Sequence, residues 1–593
     1  MDLATSLPYR GHLLDQDDSI RLAYLEPGQK NDTICISLGN ARLSDSPPYE
    51  ALSYTWGDAS QTTTIQISSD LDGPEPTAHS VTVNCCSALQ RLRRAGERRA
   101  LWIDAICINQ ESTAERNHQL GLMADIYAKA SRVVVYLGEG DEYSDAAMDV
   151  IASILDPPDY KSTPSSDYNE TTLINILSTA SDKCVASLFR RPWFSRIWVL
   201  QEIANAQSAT AYCGGRELPW ESFRDFVHYN TTTKWIKSIP FAVEYSARES
   251  PPCWTDITQR LLGMLIDTRS YGATDPRDKV FALIPLLARE QRLLRAAYPE
   301  SSRESSIDVS MLLPDILLNY DLSPCDVFIS LAVYFLRHLG LGILRHVTGS
   351  SSHLRTLPSW VPDWSLPSNS KYRQIPISAR APRDASPVWD YRFSPFHELQ
   401  VNAVNCGVVE TIGGLCDIDN DRFPISQWQQ LVLQECHEDL SFKRLIVGKR
   451  LVYEDVVEEV LDRISRYESD VGDTVRNSRG RSPGAPNSQA RLRNVIVSFG
   501  PGSYERQASW ILETCDMRRI FVANDRKIGL ASGNAKEGDI IFSIKGVVTP
   551  FLLRKSTVDS EMGNNYYTLV GECYLLGVKE AKSESELETI VII

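Results

Sequence analysis

The stretch RPWFSRIWVLQEIANA, Arg191 to Ala206, gathers one carboxylate, two amides and three aromatic rings at helical spacing. Read as a single helix, it places Trp193, Ile197, Leu200, Ile203 and Ala204 on one apolar arc that must face a core. The neighbouring stripe carries Phe194, Trp198, Gln201, Glu202 and Asn205, so something other than water has to cover it. A carboxylate fixed one turn from an indole can line a pocket, pair with a cation or lie on a solvated face. Two further polar clusters have similar potential: SYTWGD, Ser53 to Asp58, and DAICINQ, Asp104 to Gln110. Each also has a structural reading. Trp56 fills a core gap, Gly57 makes a turn, and Asp104 and Asn109 cap the loop and helix that follow them.

These clusters need a scaffold that brings them together. Short β-rich runs between Ile20 and Val83, separated by Gly, Pro, Asp and Asn, predict strands. Ser87 to Ala95 reads as a helix, and RALWIDAICINQ as an apolar strand that leaves into a polar loop. Ser112 and Glu115 have the spacing of a capping box, which starts a helix running to about Ala130. RVVVYLG then gives a β-branched run that suits a strand buried on both faces of a parallel sheet. In such sheets ligands sit outside the carboxyl ends of the strands, which is where SYTWGD, DAICINQ and the Trp198/Gln201/Glu202 stripe fall. Further along, the chain reads as mainly helical to about Leu339. After a Ser-, Gly- and Pro-rich stretch, RRIFVAN, KIGLAS, GDIIFSIKG, PFLLRK and YYTLVGECYLLGV predict a small β-barrel or curled sheet.

Whole-chain properties exclude several classes. At 593 residues the chain is too long for one core. A formal charge of −15 argues against a phosphate-backbone surface and hence against nucleic acid as a partner. None of the nine histidines pairs with a cysteine or another histidine at metal-ligand spacing, so no metal is expected. Thirteen scattered cysteines without a C-x-x-C read as reduced thiols in a cytoplasmic protein. The apolar run VFISLAVYFL, stopped by Arg337, falls short of the roughly 20 residues of a membrane helix, so no membrane association is expected. G-x-x-x-x-G-K-[ST] and H-E-x-x-H are absent. GRSPG, Gly480 to Gly484, lies in a segment of linker composition, not on a strand-to-helix turn.

YEALSYTWGD, LWIDAICINQ, ERNHQLGLMADIYAKASRVVVYLG and RPWFSRIWVLQEIANA, in this order, resemble the heterokaryon-incompatibility (HET) domain of filamentous fungi. Departures are small: VNCCSAL has cysteine where leucine is usual, and VVVYLG has tyrosine where tryptophan is commoner. The resemblance implies a role in non-self recognition and programmed cell death, carried out through protein partners or self-association. It also implies an α/β, TIR-like (Toll/interleukin-1 receptor-like) or flavodoxin-like parallel sheet, followed by a mainly helical region and a small β-rich C-terminal domain. WVLQE resembles the TIR W-x-x-x-E motif, whose glutamate is catalytic in members that hydrolyse NAD.

On this reading the domains are a β-rich extension over 1–48, the HET domain over 49–210, a helical region over 211–345 and a Trp/Pro-rich connector over 346–400. A mixed region at 401–468, a disordered linker at 469–491 and a β-rich domain at 492–593 complete the chain. Glu202 is the catalytic candidate, and Tyr54, Trp56, Gly57, Asp58, Asp104 and Trp198 are the substrate-binding candidates. NAD would be a substrate and no cofactor is implied. Breaking the nicotinamide–ribose bond builds positive charge on the sugar while a neutral ring leaves, so one carboxylate suffices to stabilise the transition state. The rival expectation is a signalling or assembly module without enzymatic activity, in which the Trp198/Glu202 stripe is an assembly surface or an internal brace.

Overall fold

Val133, Val134 and Val135 have no exposed surface, as a β-branched run at the centre of a two-faced sheet requires. The computed structural model describes residues 9, 12–29, 32–68, 76–155, 179–233, 239–247, 257–297, 319–348, 354, 356–366, 391–393, 397–417, 422, 424–436, 514–556, 566–576 and 586–593. Two units divide the chain, Met1–Ser323 and Pro324–Ile593. The linker read over 469–491 lies outside the described residues, as do the polar sequences at 157–172 and 367–387.

In the first unit the strands are β1 (Ser19–Leu25), β2 (Cys35–Arg42), β3 (Glu50–Tyr54), β4 (Thr62–Ser68), β5 (Thr77–Thr82), β6 (Arg99–Trp102), β7 (Arg132–Tyr136), β8 (Ala209–Cys213) and β9 (Arg216–Pro219). They form one mixed sheet in the order β5-β4-β2-β1-β6-β3-β7-β8-β9. Its centre, β6-β3-β7-β8, is parallel throughout. The first of these strands in sequence, β3, lies between the second and the third, so the order of the strands reverses between β3 and β7, where open α/β sheets place a crevice at their carboxyl ends. Segment 1–48 does more than pack on this sheet. β1 pairs antiparallel with β6, and β2 pairs with β1 and β4, which continues the sheet away from the crevice. At the other edge β8 and β9 extend it to Pro219.

Two helix starts show local chemistry that pattern alone misreads. Helix α1 (Val83–Leu92) begins four residues earlier than the sequence suggests, because the Thr82 hydroxyl accepts the Cys85 N–H as an N-cap. After the short α2 (Asp104–Cys107), helix α3 (Thr113–Lys129) starts as expected, with Ser112 Oγ accepting the Glu115 N–H. The reciprocal half of the capping box is absent. Glu115 turns its carboxylate to the Asn109 N–H at 2.7 Å and to the fully buried Arg21 of β1, tying the first strand to α3. Helix α4 (Glu142–Leu155) and the helix Thr179–Phe189 follow, and further helices at Trp220–Thr233, Phe241–Ser246, Ile257–Asp267, Asp278–Phe281 and Ile284–Ala297 complete the unit.

The second unit opens on the helix Pro324–Leu339, which continues as 3-10 turns to His346. That stretch of 23 residues is long and apolar enough to cross a membrane, although 67% of its most apolar window is buried in the protein. The interruption expected at Arg337 does not end the helical run. Eight strands follow: β10 (Tyr391–Phe393), β11 (Leu399–Leu415), β12 (Arg518–Ala523), β13 (Ile528–Ser532), β14 (Ile540–Ile544), β15 (Phe551–Lys555), β16 (Tyr566–Leu575) and β17 (Glu588–Ile592). Ladders β11-β12-β13-β16-β15-β14 are antiparallel, and β14 pairs back onto β11, which closes a six-stranded ring. The 17-residue β11 can serve both neighbours because its ladders shift register near Gly407 and between Ile412 and Leu415. Val409, Phe521, Ile541, Leu552 and Val570 fill the interior.

Candidate functional site

RPWFSRIWVLQEIANA is not one helix. Pro192–Ser195 is a 3-10 turn, Arg196 is extended, and the α-helix runs over Val199–Asn205. The break occurs because Arg196 forms a parallel bridge to Gly272, with the Ile197 N–H donating to the Gly272 carbonyl at 3.1 Å. Trp193 and Trp198 therefore leave the arcs that a continuous helix would give them. The Trp193 indole donates to Ser53 Oγ at 2.8 Å, and Ser53 Oγ donates to Glu202. Trp198 turns the other way and donates its indole N–H to Asp278, which also accepts from the Tyr320 hydroxyl. Trp198 and Glu202, which share a helical face in sequence, thus serve different partners.

Glu202 is 1% exposed. Burial raises its pKa from 4.5 to about 7, against the pull of the Arg196 guanidinium and the Ser53 hydroxyl, while the Asp104 charge adds to the rise. Gln201 beside it is fully buried, and neither atom of its amide has a hydrogen-bond partner among the described residues. Asp278 is likewise pushed up by burial, opposed by its bonds from Tyr320 and Trp198.

At the crevice edge Asp104 accepts the Trp56 indole N–H at 2.8 Å and pairs with Arg196 at 3.4 Å. Arg196 also donates to the Tyr54 carbonyl, the last of β3. Burial works against the charge on Arg196, but the Asp104 and Glu202 carboxylates outweigh it and hold its pKa up. Arg191 does the corresponding work at β7, donating to the carbonyls of Leu137 and Glu139 at 3.0 and 2.7 Å and to Asp141 at 2.9 Å. Two arginines from one turn therefore occupy the ends of the two strands that flank the crevice.

Of the sequence candidates, Tyr54, Asp104, Trp56 and Glu202 converge around Arg196. Tyr54 contributes its carbonyl, while its buried ring has a hydroxyl whose pKa burial drives far up. Gly57 and Asp58 are exposed on the loop after β3. Gly57 adopts φ +79°, and a Cβ there would lie 3.2 Å from the Asn84 side chain. Asp58 accepts from the Ser60 N–H and hydroxyl at 2.9 and 2.7 Å, which shapes the turn and lowers its own pKa. Neither reaches Glu202 through any described hydrogen bond. The sequence reading named Ser53 only as the first residue of SYTWGD, missed Arg191, Arg196 and Asp278 as participants, and assigned Trp193 to the core alone. The available signal was a pair of arginines bracketing PWFS, but the Gly272 bridge that aims Arg196 lies 76 residues away in sequence.

The chemistry open to this arrangement is electrostatic. A closed carboxylate sits behind an arginine whose side chain is 22% exposed, and that arginine is already shared between a backbone carbonyl and a half-buried aspartate.

Residues 49–202, which carry the four motifs and contribute strands β3 to β7 of this sheet, match the family described as Heterokaryon incompatibility protein (HET). The chain is also 26% identical to "Heterokaryon incompatibility protein 6, OR allele" of Neurospora crassa, over 96% of this chain and 95% of that protein. Both matches are thus to heterokaryon incompatibility proteins. No solved structure matches it.

Proposed function

We propose that this chain acts in heterokaryon incompatibility as a recognition and signalling module whose α/β domain works through protein partners, with Glu202 as an internal brace. The observation that carries this reading is the closure of Glu202: it is 1% exposed, bonded by Ser53 and faced by Arg196. A carboxylate that stabilises an oxocarbenium-like sugar has to touch that sugar, and this one touches protein. The whole-length similarity to a heterokaryon incompatibility protein supports the biological setting. The test expresses the full chain and its Glu202→Gln form, isolated and artificially clustered, and follows NAD and nicotinamide. Neither form consumes NAD on this reading, and both give the same incompatibility phenotype in a fungal host. NAD loss by the native chain that disappears in Glu202→Gln overturns it.

One observation favours the second reading, a latent NAD-cleaving domain. The parallel strands lie in the order second, first, third, fourth, which is the order of flavodoxin-like sheets, to which the TIR fold belongs, and the Ser53/Glu202 pair lies at the reversal. Under this reading activation withdraws Arg196 and opens the carboxylate, so NAD cleavage appears only in the clustered or partner-bound protein.

A further inference from the structure

The barrel of the second unit carries a cavity of about 650 Å³ at one end, within the range of about 300–1,000 Å³ that holds small ligands. Its wall is made by Arg519 of β12, Arg554 of β15, Ile412 of β11 and the turn between β13 and β14, which contributes Lys536 and Glu537. Three cations thus face one carboxylate. A second acid, Asp539, is fully buried and already engaged: Arg554 donates to its two oxygens at 2.7 and 2.9 Å. That pair aims the guanidinium and a further bond, to the Asn534 carbonyl at 3.0 Å, holds it still.

Donors remain unused around this space. Arg519 Nε is buried and has no hydrogen-bond partner among the described residues, so the outer nitrogens are the ones that can face the space, and their one described bond is a long 3.4 Å contact to the Gly413 carbonyl. A guanidinium whose outer N–H groups lack a close acceptor is best matched by an anionic oxygen. Lys536 is exposed at the rim, with its backbone N–H fixed on Asp539 at 2.8 Å. Two planar forks on opposite strands with an ammonium at the rim match the geometry of a phosphate group better than that of a neutral ligand.

We propose that this barrel end is a binding site for a phosphorylated small molecule, whose phosphate is held by Arg519 and Arg554 and steered by Lys536. A soluble phosphate compound and the headgroup of a phosphorylated lipid share that chemistry. The test titrates the full chain with inorganic pyrophosphate by calorimetry and, separately, with vesicles carrying a phosphomonoester lipid against neutral vesicles. Arg519→Gln and Lys536→Gln weaken binding about tenfold or more. Lys555→Gln, whose side chain lies on the other face of β15 from Arg554, leaves it unchanged. Because Lys536 is exposed, its variant reports on binding even if Arg519→Gln unfolds. Pyrophosphate binding identifies a soluble ligand, and binding confined to phosphomonoester vesicles identifies a headgroup. Absence of both, or binding insensitive to Arg519 and Lys536, overturns the proposal.

Discussion

Ser53 and Glu202 are 149 residues apart in sequence, yet they form one hydrogen-bonded pair beneath the carboxyl end of β3, with the Trp193 indole completing the chain of donors. The serine is the hinge of this arrangement: it accepts from one side and donates to the other, so the loss of any member leaves another buried group unsatisfied.

The first prediction concerns pH. Below pH 4.5 Glu202 is protonated in both folded and unfolded chains, and its burial carries no charge penalty. As pH rises from 4.5 to about 7 the unfolded chain ionises this group while burial keeps it protonated in the folded one, so this contribution to stability is lost, by roughly 3 kcal/mol in full. Glu202→Gln cannot titrate. The difference in melting temperature between native chain and variant should therefore shift in favour of the variant between about pH 5 and 8. A difference independent of pH would show that Glu202 does not change charge there.

Trp193→Phe removes the N–H that Ser53 accepts and leaves a void where the larger indole packs on Phe194 and Trp220. It should cost about 2–3 kcal/mol, read from denaturant unfolding with an unchanged slope. Because Ser53 can still donate to Glu202, the Glu202 titration should persist in this variant.

Arg196→Met removes the donor to the Tyr54 carbonyl and the partner of Asp104. It should destabilise by about 2 kcal/mol, and it should push the Glu202 pKa further up because the opposing guanidinium is gone. Carboxyl NMR shifts of Glu202 would check the second effect independently of the first.

Gln201→Met exchanges an amide with no partner among the described residues for an apolar side chain of similar length. It should stabilise by about 1 kcal/mol, seen as a higher melting temperature. A lower one would mean that the amide is bonded.

Much of the parallel sheet could be read in advance, because YEALSY, LWIDA and RVVVYL are apolar runs ended by turn residues and belong to β3, β6 and β7. Burial of the Glu202 stripe was also legible, since Trp198 and Gln201 beside a carboxylate make a poor solvated face. Its partners were not. Periodicity assumes one continuous helix, and the bridge between Arg196 and Gly272 breaks that assumption from 76 positions away. Ser53 offers no pattern at all, because a single serine in a strand is neutral until the opposing carboxylate is known. The antiparallel addition of β1 to β6 was hidden for a similar reason: strand runs announce themselves, but their neighbours do not.

The Arg21–Glu115 pair and the β1–β6 ladder bear on how the domain can be dissected. A recombinant fragment cut to residues 49–202 would begin after β1 and β2 and stop before β8. Both flanks of the parallel strands would then be raw edges, and Glu115 would lose its guanidinium. Such a piece should aggregate on expression, whereas 12–233 retains every strand of the sheet. The segment that matches the family is shorter than the sheet to which it belongs.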